Sequence, residues 1–449
     1  MSSRRLKSIH RPSNCLVLCQ CDGIESLCFS SRLFKIKTAK MFDQTVKIGL
    51  PLLCIVGLVL FIILKLSPTS IYSVDSIKKI IKINHAKPGP RDRDQIKRHQ
   101  YVDAVCKNNT LGSTGNILVS SAKKMSYCIV PTAESEFWIR TFRYLNDESK
   151  EEIDTRDLTK LNSLLSQNLL RQNLKLYHME KESDEIVVDA TNKILFTRNP
   201  YTRLWIAYIE HMFLPDLWNE VGRKIVSFRK SPKQESLLCG NDVTFEEFLD
   251  HVLREAKSPA NMKKIWRPVQ YLCNPCKYKP DFIGKVEYFD VDAKHILQKF
   301  DLSILLKSYE SENYEIGEMK NIIRHYFHLY NQGTISNCIS RAGLALRLWT
   351  SFQVRGYLPL QSESALQHIT ERTFDVNIFR EIVVNIYDRY RSSRYLWKNQ
   401  HNKLTTHAFQ EIPFRIFKGL TTVYEFDFKA FGYEMFPKQF LKIPGVPRI

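Results

Sequence analysis

Apolar residues in the first 115 positions are concentrated in one block. The run IGLPLLCIVGLVLFIIL, Ile48 to Leu64, carries no charge and lies between Lys47 and Lys65. Its length is near the lower limit for a membrane helix, about 17 residues. A core helix would show a polar stripe, and a cleaved signal segment has a shorter apolar stretch, so the block predicts a signal anchor. Residues 65–115 include KPGPRDRDQIKRHQ, rich in proline and charge without an apolar period, which reads as a stem.

From Asn116 the pattern becomes globular. Ile117 to Val119, Tyr127 to Val130 and Ile194 to Thr197 are short β-type runs. Leu161, Leu164, Leu165 and Leu169 predict a helix over 157–182. Beyond Pro200, the positions Tyr201, Leu204, Trp205, Tyr208 and Met212 follow helical spacing, and proline suits a first helical position. Further helices are expected over 242–257, 288–300 and 317–330. Strands alternating with helices predict an α/β sheet.

Charge sets the orientation of the anchor. Residues 1–47 hold nine basic and three acidic residues, which favours a cytoplasmic N-terminus. The expected organisation is a cytoplasmic tail at 1–47, a transmembrane signal anchor at 48–64, a lumenal stem at 65–115 and a globular domain at 116–449. A start at Met41 would shorten the tail and leave the topology unchanged. The formal charge of +19 over 449 residues favours anionic partners, and a lumenal location argues against nucleic acid. Cys106, Cys128, Cys239, Cys273, Cys276 and Cys338 follow the anchor, an even set for which disulfides are the default in an oxidising lumen. Asn108, in NNT, is a glycosylation sequon.

Two stretches carry candidate chemistry. In SYCIVPTAESEFWIR, residues 126–140, an apolar run meets Pro131, passes through small residues and enters a helical pattern at Phe137. A strand, tight loop and helix start is a common way to hold a phosphate, yet this loop contains Glu134 and Glu136 and no lysine. In KILFTRNPYTRLWIAYIEHMF, Arg198 stands between strand and helix and Arg203 in the first turns. Each arginine has a plainer reading, Arg198 as a surface or ion-paired residue and Arg203 as a stem packed on Tyr201 or Trp205.

Together these stretches are recognisable. RNPYTRLWIAY and MSYCIVPTAESEFWIR resemble two blocks of the Golgi carbohydrate sulfotransferases, the group containing the chondroitin and dermatan 4-sulfotransferases. WRPVQYLCNPCKYKPDFIGKVEYFDVDAKHIL and LTTVYEFDFKAFGY continue the likeness in family order. The segment from about 335 to 405 is longer than in those relatives, as in an invertebrate-type branch or an added acceptor-side element. The resemblance implies a nucleotide-kinase-like, P-loop-like parallel sheet flanked by helices. It also implies the donor 3′-phosphoadenosine 5′-phosphosulfate, with no metal expected, and a glycan acceptor on a proteoglycan or glycoprotein.

By the same resemblance the loop Pro131, Thr132, Ala133, Glu134, Ser135, Glu136 and Phe137 would hold the 5′-phosphosulfate. Arg198 and Ile206 occupy the 3′-phosphate positions, and Arg203 is also matched. The family lysine falls on Thr132, its threonine on Glu136, its asparagine on Phe137 and its serine on Ile206. Arg140, Lys123 and Lys124 are candidates for the missing cation. Glu136 is expected to cap the helix that follows, and Glu136, Glu210, His211 and Glu287 are candidates for the base. Cys273 and Cys276 read as structural disulfide cysteines rather than zinc ligands or a redox pair. Two alternatives remain: a sulfotransferase fold that binds glycan without transferring sulfate, and a metal-dependent glycosyltransferase using Asp290-Val-Asp292.

Overall fold

The computed structural model describes residues 90–107, 115–146, 174–309, 312–366, 370–392 and 399–440, and a two-residue antiparallel pair, Gln20–Cys21 with Ile24–Glu25. The chain divides into two units at 87/88. The expected anchor at 48–64 and the Asn108 sequon lie outside the described residues. No helix among the described residues is long and apolar enough to cross a membrane.

A four-stranded sheet organises the second unit, in the order β1 (Ile117–Ser120), β2 (Met125–Cys128), β3 (Asn192–Thr197) and β4 (Phe282–Lys285). β2, β3 and β4 are parallel, with Tyr127 opposite Ile194 and Leu195 opposite Ile283. β1 is antiparallel to β2, pairing Ile117 with Cys128. The all-parallel expectation is therefore corrected to a mixed sheet. A short turn joins β1 to β2, and such a turn can connect only antiparallel strands.

Alternate residues of each strand enter opposite cores, as the two-residue pleat requires. Leu118, Tyr127, Ile194, Phe196 and Phe282 pack with Phe137, Trp138 and Phe142 of α2 (Ser135–Asn146) and with Phe289 and Ile296 of α6 (Phe289–Lys299). Val119, Cys128, Leu195 and Ile283 meet Val188 of α3 (Glu182–Asp189) and Phe426 and Ala430 of α12 (Glu425–Ala430). Gly284 in β4 is required by this packing, since a Cβ there would lie 2.4 Å from the Phe196 ring.

A second apolar centre joins α4 (Pro200–Tyr208), α5 (Phe245–Glu255) and α11 (Phe414–Val423). Thr244 and Glu247 form a reciprocal cap at the start of α5. A third centre is wholly helical, built from α7 (Glu312–Asn331), α8 (Arg341–Arg355) and α9 (Val376–Tyr390). α10 (Gln400–Gln410) is tied to the end of α8, with Gln400 Nε2 donating to Gln353 O at 2.6 Å.

Two expectations change. Residues 174–181, the described part of the helix expected over 157–182, are not helical; Tyr177 bridges to Ile117 instead. The expected stem contains α1 (Pro90–Cys106), which packs on the domain. Gln95 exchanges side-chain bonds with both main-chain groups of Ile283, and Arg98 reaches Asp292 at 2.6 Å. All six post-anchor cysteines are paired: Cys106 with Cys276, Cys128 with Cys273, and Cys239 with Cys338.

Candidate functional site

The C-terminal ends of β2, β3 and β4 open on one edge of the sheet, where ligands of open α/β sheets bind. Beyond β2 the chain turns through Pro131 to Glu134 into α2. Thr132 and Glu134 both have positive φ, 61° and 56°, a conformation that costs about 1–3 kcal/mol per residue and persists only where the surroundings enforce it. Two left-handed residues leading into the unpaired first turn of a helix are the kind of backbone from which an anion nest is built; Ala133 N–H is itself taken by Val130 O at 3.3 Å.

Arg203 supplies that enforcement. Its Nε donates to Pro131 O at 3.1 Å, and its Nη atoms donate to Arg267 O at 2.7 Å and Ile265 O at 3.0 Å. The guanidinium is buried and occupied by carbonyls, so Arg203 positions the loop and is not free to hold a ligand. Ile206 is corrected too, because its side chain is buried against Ile209 and Val354 and offers no polar atom. The Phe137 ring lies in the core beside Trp138 and Phe289. Phe137 can serve an anion only through its amide, and the amide of buried Ala133 already donates to Val130 O.

Arg198 is different. Its Nη2 donates to Glu134 Oε1 at 2.9 Å, while its buried Nε has no hydrogen-bond partner among the described residues. The side chain is only 10% exposed. A buried guanidinium with an unused N–H, beside a nest of amides, fits an anionic ligand.

The acidic loop is set within further charges. Arg355, the last residue of α8, pairs through Nη2 with Glu210 Oε1 at 2.7 Å, and its Nε is likewise buried without a partner among the described residues. Burial opposes the Arg355 charge, but Glu210, then Tyr357 and Glu136, outweigh it and raise its pKa. Burial raises the Glu134 carboxyl despite Arg198 and Arg355, and burial followed by Glu210 raises Glu136. Glu136 lies in the first turn of α2, where its charge complements the helix dipole.

The other candidate cations are committed elsewhere. Arg140 pairs with Glu318 at 2.5 Å and donates to the Tyr314 hydroxyl at 3.3 Å. Lys123 donates to Phe300 O, and Lys124 receives Asn192 N–H on its carbonyl. Both lysines precede β2 and stand at the end of the sheet opposite the loop.

Among the base candidates, Glu287 accepts Asn199 N–H at 2.8 Å and the Tyr433 hydroxyl at 3.0 Å, holding the entry to α4. Glu210 is the second residue of a π turn, Ile209–Phe213, that continues α4. His211 Nδ1 meets Asp216 Oδ2 at 2.5 Å. Burial alone would lower the His211 pKa, but the Asp216 bond and the charges of Asp216, Glu210 and Glu136 raise it, favouring the cation over a free base.

His401 of α10 was not singled out in the sequence. Its Nδ1 lies 3.0 Å from Val354 O, so Nδ1 carries the hydrogen and Nε2 the lone pair. Burial, then Arg198, pushes the imidazole down to about 4, leaving it neutral at physiological pH. Neither Arg355 nor His401 belongs to a recognisable block. The signal available was indirect: a buried acidic loop demands cations from elsewhere, without specifying which.

Against known proteins, the profile described as "Sulfotransferase family" matches residues 115–335. That segment contains the sheet, the strained loop, Arg198, Arg203 and Glu287. Residues 115–335 are similar to the sulfotransferase family. Carbohydrate sulfotransferase 14 of Danio rerio is 31% identical over 192 residues, covering 41% of this chain and 48% of the relative. Carbohydrate sulfotransferase 11 of Mus musculus is 28% identical, covering 47% and 63%, and carbohydrate sulfotransferase 9 of Homo sapiens is 26% identical, covering 49% and 50%. The alignments thus span about half to under two thirds of these relatives. No solved structure matches the chain significantly. Arg355, Tyr357 and His401 lie beyond the matched sulfotransferase segment and complete its charged site.

Asp290-Val-Asp292 takes a structural part. Asp292 is buried, and its Oδ2 accepts both Arg98 Nη1 at 2.6 Å and Lys285 N–H at 2.9 Å. This bonding counts against the alternative in which Asp292 is half of a metal-holding Asp-x-Asp pair. No group of three or more His, Cys, Asp or Glu side chains suited to a metal occurs among the described residues.

Proposed function

We propose that the domain is a carbohydrate O-sulfotransferase. It transfers the sulfuryl group of 3′-phosphoadenosine 5′-phosphosulfate to a hydroxyl of a glycan, from the lumenal side of a single-pass type II Golgi membrane protein. The observation that carries this reading is the nest at Thr132 and Glu134 opening on the buried, partly unpaired Arg198, within a segment of sulfotransferase ancestry. Each curated relative cited is a carbohydrate sulfotransferase by name, which favours a glycan acceptor on a proteoglycan or glycoprotein over nucleic acid.

The donor supplies an activated sulfuryl group. The amides of residues 134–137 and the Arg198 guanidinium are the groups suited to its phosphates. In the reaction the acceptor oxygen forms a bond to sulfur, the sulfur–oxygen bond to the phosphate breaks, and the hydroxyl proton passes to a base. His401 Nε2, turned away from the Val354 carbonyl, is assigned that proton; its weak basicity comes from burial and from Arg198, and the donor's negative charge beside that arginine would strengthen it. Cations at the site stabilise charge developing on the departing phosphate oxygen.

Transfer of labelled sulfate from the donor to a panel of desulfated glycans tests the reading. Incorporation into one glycan class is the expected result. Donor binding without transfer to any glycan would favour a non-catalytic glycan binder, and failure to bind the donor would sink the proposal.

A further inference from the structure

We propose that Arg355, delivered by a helix outside the family-matched segment, is a ligand for the donor's 5′-phosphosulfate and supplies the cation that the loop itself lacks. The inference deepens the sulfotransferase reading and rests on it. The loop offers amides but no basic side chain. Among the cations discussed above, Arg140 is taken by Glu318 and Tyr314, Arg203 by main-chain carbonyls, and Lys123 and Lys124 stand at the far end of β2. Arg198 and Arg355 remain, each with a buried Nε lacking a partner among the described residues.

The packing that brings Arg355 to the loop is specific. Val354 is buried against Ile206 and Ile209, which fixes the end of α8 on α4 and its π turn. Arg347, two turns earlier, donates through Nη1 to Phe213 O at 2.6 Å. The helix then stops at Gly356, whose φ of 77° suits the left-handed turn that glycine tolerates. Ile206 is thus the docking surface for the residue preceding Arg355. A polar side chain there would lose that apolar seat.

Arg355 is held by Glu210 through Nη2. Its charge also acts on Glu134 and Glu136, the acids of the loop. An anion entering the nest therefore competes with carboxylates for Arg355 and Arg198 together. Displacing those carboxylates frees both guanidiniums for phosphate oxygens.

Calorimetric titration with 3′,5′-adenosine bisphosphate, which retains the 5′-phosphate, tests the assignment on the full lumenal chain. Arg355→Ala leaves Glu210 buried without its partner, so the decisive protein is Arg355→Ala combined with Glu210→Gln, with Glu210→Gln alone as its reference. The double variant is expected to bind at least about tenfold more weakly than the reference, the loss of a charged hydrogen bond. Adding Thr132→Lys, which places a cation within the loop, is expected to restore much of that loss and to give no comparable gain in the wild type.

Equal affinity of the folded double variant and its reference would overturn the assignment while leaving the sulfotransferase reading intact. An equal effect of Thr132→Lys in both backgrounds would do the same. If the wild type does not bind the bisphosphate, the functional reading fails and this assignment fails with it.

Discussion

Glu134 and Arg198 hold one another at 2.9 Å, and a donor phosphate must compete with that carboxylate. Glu134→Gln removes the competitor while keeping the side chain's shape, so bisphosphate affinity is expected to rise several-fold in calorimetry. Weaker binding would show that the carboxylate itself organises the site. The same carboxylates give a pH signature. Burial raises the pKa of both Glu134 and Glu136, so as pH falls they take up protons before an ordinary carboxylate does. Their protonation removes negative charge beside the ligand. Wild-type affinity should therefore gain, relative to a Glu134→Gln and Glu136→Gln protein, as pH is lowered from neutrality; parallel pH profiles would refute the link. His401→Ala should lower kcat by about 10²-fold or more, the usual scale for a general base, with bisphosphate affinity retained. Loss of binding with kcat unchanged would exclude it as the proton acceptor. Arg198 was legible because it borders a helix start next to a strand. His401 was not, because its role depends on α10 meeting Val354 across chain-distant elements.

At the scale of elements, legibility followed the way each one is buried. β2 and β3 showed as β-type apolar runs, and α5 and α6 showed because they bury one apolar stripe. α1 did not, since much of its attachment is polar: Arg98 to Asp292 and Ile283 O, Gln95 to both main-chain groups of Ile283, and His99 Nε2 to Pro280 O at 2.8 Å. The Gln95 amide thereby occupies main-chain groups of edge strand β4, which would otherwise be open to another strand. Arg98→Ala would leave Asp292 buried without its partner, a change that costs about 3–5 kcal/mol. Denaturant unfolding should register that loss, and limited proteolysis should cut within 90–107 before the rest of the domain. A domain as stable as wild type, with α1 still resistant, would show the attachment to be held by the Cys106–Cys276 disulfide alone. Arg203→Ala should likewise cost several kcal/mol, because Pro131 O and the 264–267 carbonyls lose a buried donor.

For the whole molecule, the order of the sequence blocks conveyed family and fold class better than it conveyed the site. Blocks report residues that neighbour one another along the chain, whereas this site joins loop 131–137, Arg198, the π turn, Arg355 and His401 from separate elements. Compartment can be argued from the same long-range view. Three disulfides link residues 99 to 170 positions apart, and pairing across such spans is expected where thiols are oxidised. The uncharged block at 48–64 and the basic tail before it favour a cytoplasmic N-terminus. Together they support the proposed lumenal location of the domain. Protease added to intact microsomes should therefore leave the segment after Leu64 protected until detergent is added. Asn108 should carry a glycan removable by an endoglycosidase, and the protected fragment should run faster without reductant because its disulfides keep it compact. Digestion of the domain in sealed vesicles would put it on the cytosolic side, where neither the glycan nor the paired cysteines would be expected, and the lumenal proposal would fail.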